Sequence, residues 1–277
     1  MLAEFVITFR ETLEAALVVG IVLAFLSRSK KGEYNVHVYL GIGAGIVASA
    51  LVGLILASVP SLLGEGAGEQ IFEGSIMALA AAFVAWMIIW LRGQKNVAGK
   101  IEAHARKHVD ANYGLGLAIF IFIAVFREGF ETTVFLVSTY FESSTISALG
   151  AVLGVAAAVA IGFLMFEFAI KVNLKIFFNA SGLLLILFAG GLLVQAVHEF
   201  EEAGIVPATQ QLWNTESLLS QQSVAGAFFR SLFGYVSQPT LLQLGAYLCF
   251  IAAFLYFYFF YAKAGKGAIP AHTHKPF

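Results

Sequence analysis

Seven runs of about twenty apolar residues constrain this chain more than any other feature. They are Phe5 to Leu26, His37 to Ser58, Ile71 to Leu91, Tyr113 to Val137, Ile146 to Ile170, Leu174 to Val197 and Leu241 to Tyr261. Inside hydrocarbon a backbone has no water to bond, so runs of this length fold as helices that cross a bilayer. Composition agrees. Of the 277 residues, 60% are hydrophobic and 12% charged, whereas soluble domains run near a quarter charged. The expectation is an all-α, multi-pass protein of the cytoplasmic membrane with seven transmembrane helices. It reads as one domain over residues 1–262 with a tail at 263–277. No basic region precedes the first run, which reads as a span rather than a cleaved signal. The single cysteine, Cys249, excludes an internal disulfide framework or a thiolate metal cluster.

The basic residues set the orientation. Arg28, Lys30 and Lys31 follow the first run; Arg92, Lys95, Lys100, Arg106 and Lys107 follow the third. Lys171 and Lys175 follow the fifth, and Lys263, Lys266 and Lys275 follow the seventh. Thirteen of the 16 Lys and Arg therefore share one side, which the positive-inside rule makes cytoplasmic. Glu65, Glu69, Glu73, Glu142, Glu199, Glu201, Glu202 and Glu216 fall on the other. The N-terminus is expected outside and the C-terminus in the cytoplasm.

Two stretches break the apolar pattern in the same way. Phe9-Arg10-Glu11-Thr12-Leu13-Glu14 lies in the first run and Phe126-Arg127-Glu128-Gly129-Phe130-Glu131 in the fourth. Aligning Arg10 with Arg127 lays runs one to three over runs four to six. Three is odd, so the copies (about 1–95 and 110–200) enter the membrane in opposite directions. The expected architecture is a 3+3 inverted repeat plus one extra helix at 241–262, with the substrate site where the repeats meet. Gly41, Gly43, Gly45, Gly150, Gly154, Gly190 and Gly191 suit close helix packing. The outer segment 198–240 includes Ser217 to Tyr235, which reads as short amphipathic helices on the membrane surface.

An ionised side chain in mid-span costs roughly 2.5–3.5 kcal/mol on insertion scales, and such residues mark function by default. On a helix, Glu11 and Glu14 share a face, and Arg10 reaches Glu14 four positions on. Glu128, Glu131 and Arg127 repeat the pattern. Four carboxylates from two helices make an anionic, oxygen-rich cage that suits hard cations. With two arginines it carries −2, which a divalent ion neutralises. The competing reading is a pair of buried Arg–Glu clamps that lock helices together; the second glutamate of each motif exceeds what a clamp needs.

Paired R-E-x-x-E motifs in the first and fourth of seven spans resemble the oxidase-coupled iron permease family. His198-Glu-Phe-Glu-Glu-Ala-Gly204 resembles that family's acidic stretch after the sixth span. The resemblance implies an iron permease, not an enzyme, with Glu11, Glu14, Glu128 and Glu131 as metal ligands and Arg10 and Arg127 as their companions. Iron would be the transported substrate, with no permanently bound cofactor. A separate ferroxidase or periplasmic iron-delivery protein would be a partner, since the chain has no copper or haem motif of its own.

Weaker sites complete the reading. His198, Glu199, Glu201, Glu202 and Glu73 could gather cations on the outer approach, or form a solvated acidic rim. Glu167, near the inner end of the fifth span, suits an exit ligand or a pairing with Lys171. Glu102, His104, His108 and Asp110 lie in a stretch read as a solvated cytoplasmic loop. Other readings stay open: a permease for lead or manganese, a metal-dependent membrane enzyme, or a sensor. No histidine flanks either motif, which weighs against the enzyme. Neither a nucleotide-binding loop nor a nucleic-acid partner is indicated.

Overall fold

The structure is a computed structural model that describes residues 1–93, 97–143, 147–167, 174–221 and 223–264. It is all-α; among the described residues there is no strand, only an isolated bridge between Gln211 and Thr240. The helices are α1 (Leu2–Arg28), α2 (Asn35–Leu63), α3 (Ala67–Gly93), α4 (Val97–Asp110) and α5 (Gly114–Ser143), followed by α6 (Ala148–Glu167), α7 (Leu174–Glu202), α8 (Val224–Phe233) and α9 (Leu241–Ala264).

Among the described residues, four stretches are long and apolar enough to cross a bilayer: Gly32–Leu63, Ala67–Ile89, Ala148–Phe166 and Ala180–Glu202. They correspond to the second, third, fifth and sixth apolar runs. The first and fourth runs form α1 and α5, of 27 and 30 residues. Those lengths give about 40 and 45 Å, and both helices carry the motif charges. Leu241–Phe257 of α9 is a shorter apolar helix. Turn chemistry ends α2 where the run ends: Pro60 lies in its last turn, and Gly64 at φ 73° leaves the helical region.

The stretch 92–112, read as a loop, folds instead as α4 over most of its length. Ile101, Ala105 and Val109 repeat every four residues, so one face of α4 is apolar. That face packs with Val22, Phe25, Leu26, Tyr34, Val38, Leu117 and Ile121. Polar contacts reinforce it: Arg28 Nη2 donates to Glu102 Oε2 at 3.2 Å, and the Arg106 guanidinium sits 5.5 Å from the centre of the Phe25 ring. The segment between α7 and α9 forms α8 within the stretch expected to be amphipathic. Ser223 caps it by accepting from Gly226 N at 3.0 Å, and Gly234 at φ 67° ends it.

Helix packing positions the motifs. α1 lies along α6, α2 along α5 and α3 along α7; α1 also meets α5, and α9 packs on α7 and α3. Glycines set these approaches, because lipid is as apolar as leucine and packing carries the association. A Cβ on Gly41 would meet Ala118 and Phe122 of α5, one on Gly45 would meet Val125 and Phe126, and one on Gly53 would meet Thr133. In α6, Gly150 faces Met1, Gly154 faces Thr8 and Phe9, and Gly162 faces Ala16. One apolar cluster gathers Ile7, Met77, Ala80, Val84, Val134, Phe135, Ala189 and Leu192. The motifs lie between that cluster and the one under α4. Much of the outward surface of α2 and α6 is apolar and exposed, including Leu40, Val47, Leu54, Val152, Val159 and Phe163, as lipid contact requires.

Candidate metal site

Arg10, a third of the way along α1, is 1% exposed. Its Nη1 donates to Glu11 Oε1 at 2.7 Å and to the Met87 sulfur of α3 at 2.9 Å, and its Nη2 pairs with Glu14 Oε1 at 2.8 Å. A guanidinium so enclosed is held from three directions. Arg127 differs: its side chain is 44% exposed. Its Nε donates to Glu131 Oε1 at 3.1 Å and lies 3.8 Å from Glu128 Oε1.

Glu11, Glu128 and Glu131 converge across the α1–α5 contact. Each offers a carboxylate oxygen, and these oxygens lie within 4.8 Å of one another. Oε2 of all three is buried and has no hydrogen-bond partner. Three ionised carboxylates this close would repel by about 3.5 kcal/mol per pair at an effective dielectric of about 20. A triangle with 4.8 Å sides has its centre about 2.8 Å from each corner, against the 2.0–2.6 Å that hard cations take from oxygen. A shift of under about 1 Å at each side chain would therefore close the trio on an ion. Glu14, the fourth residue expected in the cage, lies outside this trio and is held by Arg10. Met87 is a contact that the motif pattern does not show.

The acidic residues expected on the outer side divide by role. Glu201 is buried and anchors the segment that follows α7: its oxygens accept from Thr209 N (3.4 Å), Thr240 Oγ1 (3.0 and 3.2 Å) and Gln243 Nε2 (2.9 Å). Glu202 takes Gln70 Nε2 at 3.1 Å and His198 Nε2 at 3.3 Å. Glu199 lines a cavity with His198. Glu73 is half-buried beside Gly74, whose Cβ would meet Phe200 and Glu199 of α7. Glu167 is the last residue of α6, and its side chain and Lys171 lie outside the described residues. On α4, His104 stacks on Phe120 with ring centres 5.0 Å apart, and Glu102 pairs with Arg28 and Arg106. Glu4, passed over in the sequence, is buried and accepts from Ser147 N at 3.0 Å, tying α1 to the start of α6.

Long apolar helices around a buried, ion-paired carboxylate cluster define the class: a membrane-embedded transporter. Comparison with known proteins makes it specific. The iron permease FTR1 family matches residues 1–267, and the chain belongs to that family, whose members are transporters and not enzymes. Similar proteins include the ferrous iron permease EfeU of Yersinia pestis, 29% identical over 99% of both chains. The ferrous iron permease EfeU of Yersinia pseudotuberculosis serotype I is 29% identical, over 98% of this chain and 96% of its own. That of Escherichia coli O6:H1 is 30% identical, over 97% of this chain and 99% of its own. No solved structure matches.

Proposed function

We propose that this chain imports iron across the cytoplasmic membrane through the carboxylate site between α1 and α5, taking the ion as Fe2+. One observation carries the reading: Glu11, Glu128 and Glu131 bury three unpartnered carboxylate oxygens at a helix crossing, in a chain of an iron permease family. The charge balance of four glutamates and two arginines suits a divalent ion, and the similar proteins are named as ferrous iron permeases. Glu14 and Arg10 hold charge in reserve beside the trio. Arg127 yields Glu131 when the ion arrives, since it is the more exposed of the two arginines. His198, Glu199, Glu202 and Glu73 gather cations outside, and Glu167 receives them inside. Where iron must be oxidised, a separate ferroxidase or periplasmic delivery protein does it.

The same reading gives seven spans (α1, α2, α3, α5, α6, α7 and α9), with the N-terminus outside and α4 in the cytoplasm. The inverted repeat is supported by register. A shift of 117 positions carries Arg10 onto Arg127, Thr8 and Phe9 onto Val125 and Phe126, and Ala16 onto Thr133. A shift of 109 carries Gly41, Gly45 and Gly53 onto Gly150, Gly154 and Gly162. The contacts of Gly45 and Gly53 with α5 and those of Gly154 and Gly162 with α1 therefore exchange with one another.

The experiment is uptake of radiolabelled iron into proteoliposomes, with iron supplied as Fe2+ or Fe3+ and with Mn2+ and Pb2+ as competitors. Saturable uptake of Fe2+ that Glu131→Ala removes is expected. Uptake of lead or manganese in preference to iron, or no loss in Glu131→Ala, would sink the proposal.

A further inference from the structure

Beneath the outer segment lies a cavity of about 560 Å³, between the end of α7, the start of α9 and the 211–240 stretch. Among the described residues, five glutamines line it: Gln195, Gln211, Gln221, Gln238 and Gln243. The charged groups on its wall are Glu199, Glu216 and Arg230. With both carboxylates ionised, two against one guanidinium leave the wall anionic, which favours a cation. Yet the ligand chemistry is mostly amide, unlike the carboxylate trio in the membrane.

Two glutamines at this wall behave differently. Gln243 is committed: its Nε2 donates to Glu201 Oε2 at 2.9 Å and its Oε1 accepts from Thr240 N at 3.2 Å. Gln195 is only 9% exposed, lines the cavity, and makes no hydrogen bond to the described residues. Its amide faces the open space of the cavity, so its two N–H donors and its carbonyl acceptor are available to a polar occupant there. Size decides which one. Six waters at about 30 Å³ each occupy about 180 Å³, so a hexa-aqua ion fits with room for further water, whereas a bare ion would touch few walls at once. Small divalent cations lose their water reluctantly, and metal-bound water is a strong donor to amide and carboxylate oxygens.

We propose that this cavity holds the incoming ion as a hydrated divalent cation. Gln195, Glu199 and Glu216 grip it through its water shell, and it sheds that shell at Glu11, Glu128 and Glu131. The inference rests on the proposed metal site as the next station. The Glu201 anchor keeps the cavity walled by tying Thr209, Thr240 and Gln243 to the end of α7.

The test uses Mn2+ as a paramagnetic probe on the full chain in lipid nanodiscs, with the trio neutralised by Glu11→Gln, Glu128→Gln and Glu131→Gln. Retention of one Mn2+ whose spectrum shows a shell of exchangeable water protons is expected. Adding Gln195→Leu should weaken it by about tenfold, the loss of one or two hydrogen bonds to coordinated water. No retained Mn2+, or Mn2+ with imidazole nitrogen coupling and a depleted water shell, overturns the proposal without recourse to the Gln195 variant. Stoichiometry separates the two sites. If the native chain binds one ion and the neutralised trio none, the vestibule fails and the trio stands; if both bind the same single ion, the trio fails and the vestibule stands.

Discussion

At the scale of residues, the two copies of one motif have unequal surroundings. Arg10 is enclosed by Glu11, Glu14 and Met87, whereas Arg127 is half-exposed beside Glu128 and Glu131. Arg10→Gln would take from Glu11 and Glu14 the guanidinium that each meets within 3 Å, and removal of one partner from a buried ion pair costs about 3–5 kcal/mol. Arg127→Gln should cost about 1 kcal/mol or less, as half-exposed pairs do. Melting of the two purified variants checks this, and equal destabilisation would contradict the difference in burial. Much of the trio was legible: Glu11, Glu128 and Glu131 are charges in apolar runs, and the pairing of Arg10 with Glu14 follows from helical spacing. Met87 and Gln195 were not. Met87 meets Arg10 and Gln195 lines its cavity only through the packing of helices far apart in the chain, and neither type is unusual inside a membrane helix.

At the scale of elements, glycine spacing does what the apolar pattern cannot. Six glycines in α2 and α6 let those helices lie against α5 and α1. A Cβ on Gly45 would sit 3.0 Å from Val125 and one on Gly154 would run into Thr8, whereas one on Gly43 would meet nothing within 4 Å. Gly45→Leu and Gly154→Leu are therefore expected to lower the yield of folded, monodisperse protein in detergent, while Gly43→Ala leaves it unchanged or improved. Loss of yield in Gly43→Ala would show that helix propensity, not approach distance, sets the requirement. The segment between α7 and α9 offers a second case. Glu201→Ala removes the acceptor shared by Thr209, Thr240 and Gln243, so limited proteolysis should cut the 203–240 stretch sooner than in the native chain. An unchanged cleavage rate would mean the apolar face of α8 holds the segment by itself. Helix existence was readable from apolar runs because bilayer length is so long a signal. α4 was missed because its stripe of Ile101, Ala105 and Val109 is short and lies among lysines and histidines, where only the packing against Phe25 and Leu117 reveals it.

At the scale of the whole molecule, the account requires a fixed orientation and one shared site. In a variant with Cys249 replaced, a cysteine at Asn214 should react with an impermeant reagent from outside intact cells, and a cysteine at Lys107 only after permeabilisation. The reverse pattern would invert the topology and with it the direction of transport. The shared site is the stronger demand, because Glu11 comes from one half of the chain and Glu128 and Glu131 from the other. Two independent half-sites would survive loss of one member; a single site would not. The most direct measurement is radiolabelled Fe2+ uptake by proteoliposomes carrying Glu11→Gln or Glu128→Gln, each matched to the native chain for folded protein. The account predicts that either substitution alone abolishes saturable uptake. Uptake that persists at near-native rate in either variant would contradict it, and would place the path of the ion elsewhere in the bundle.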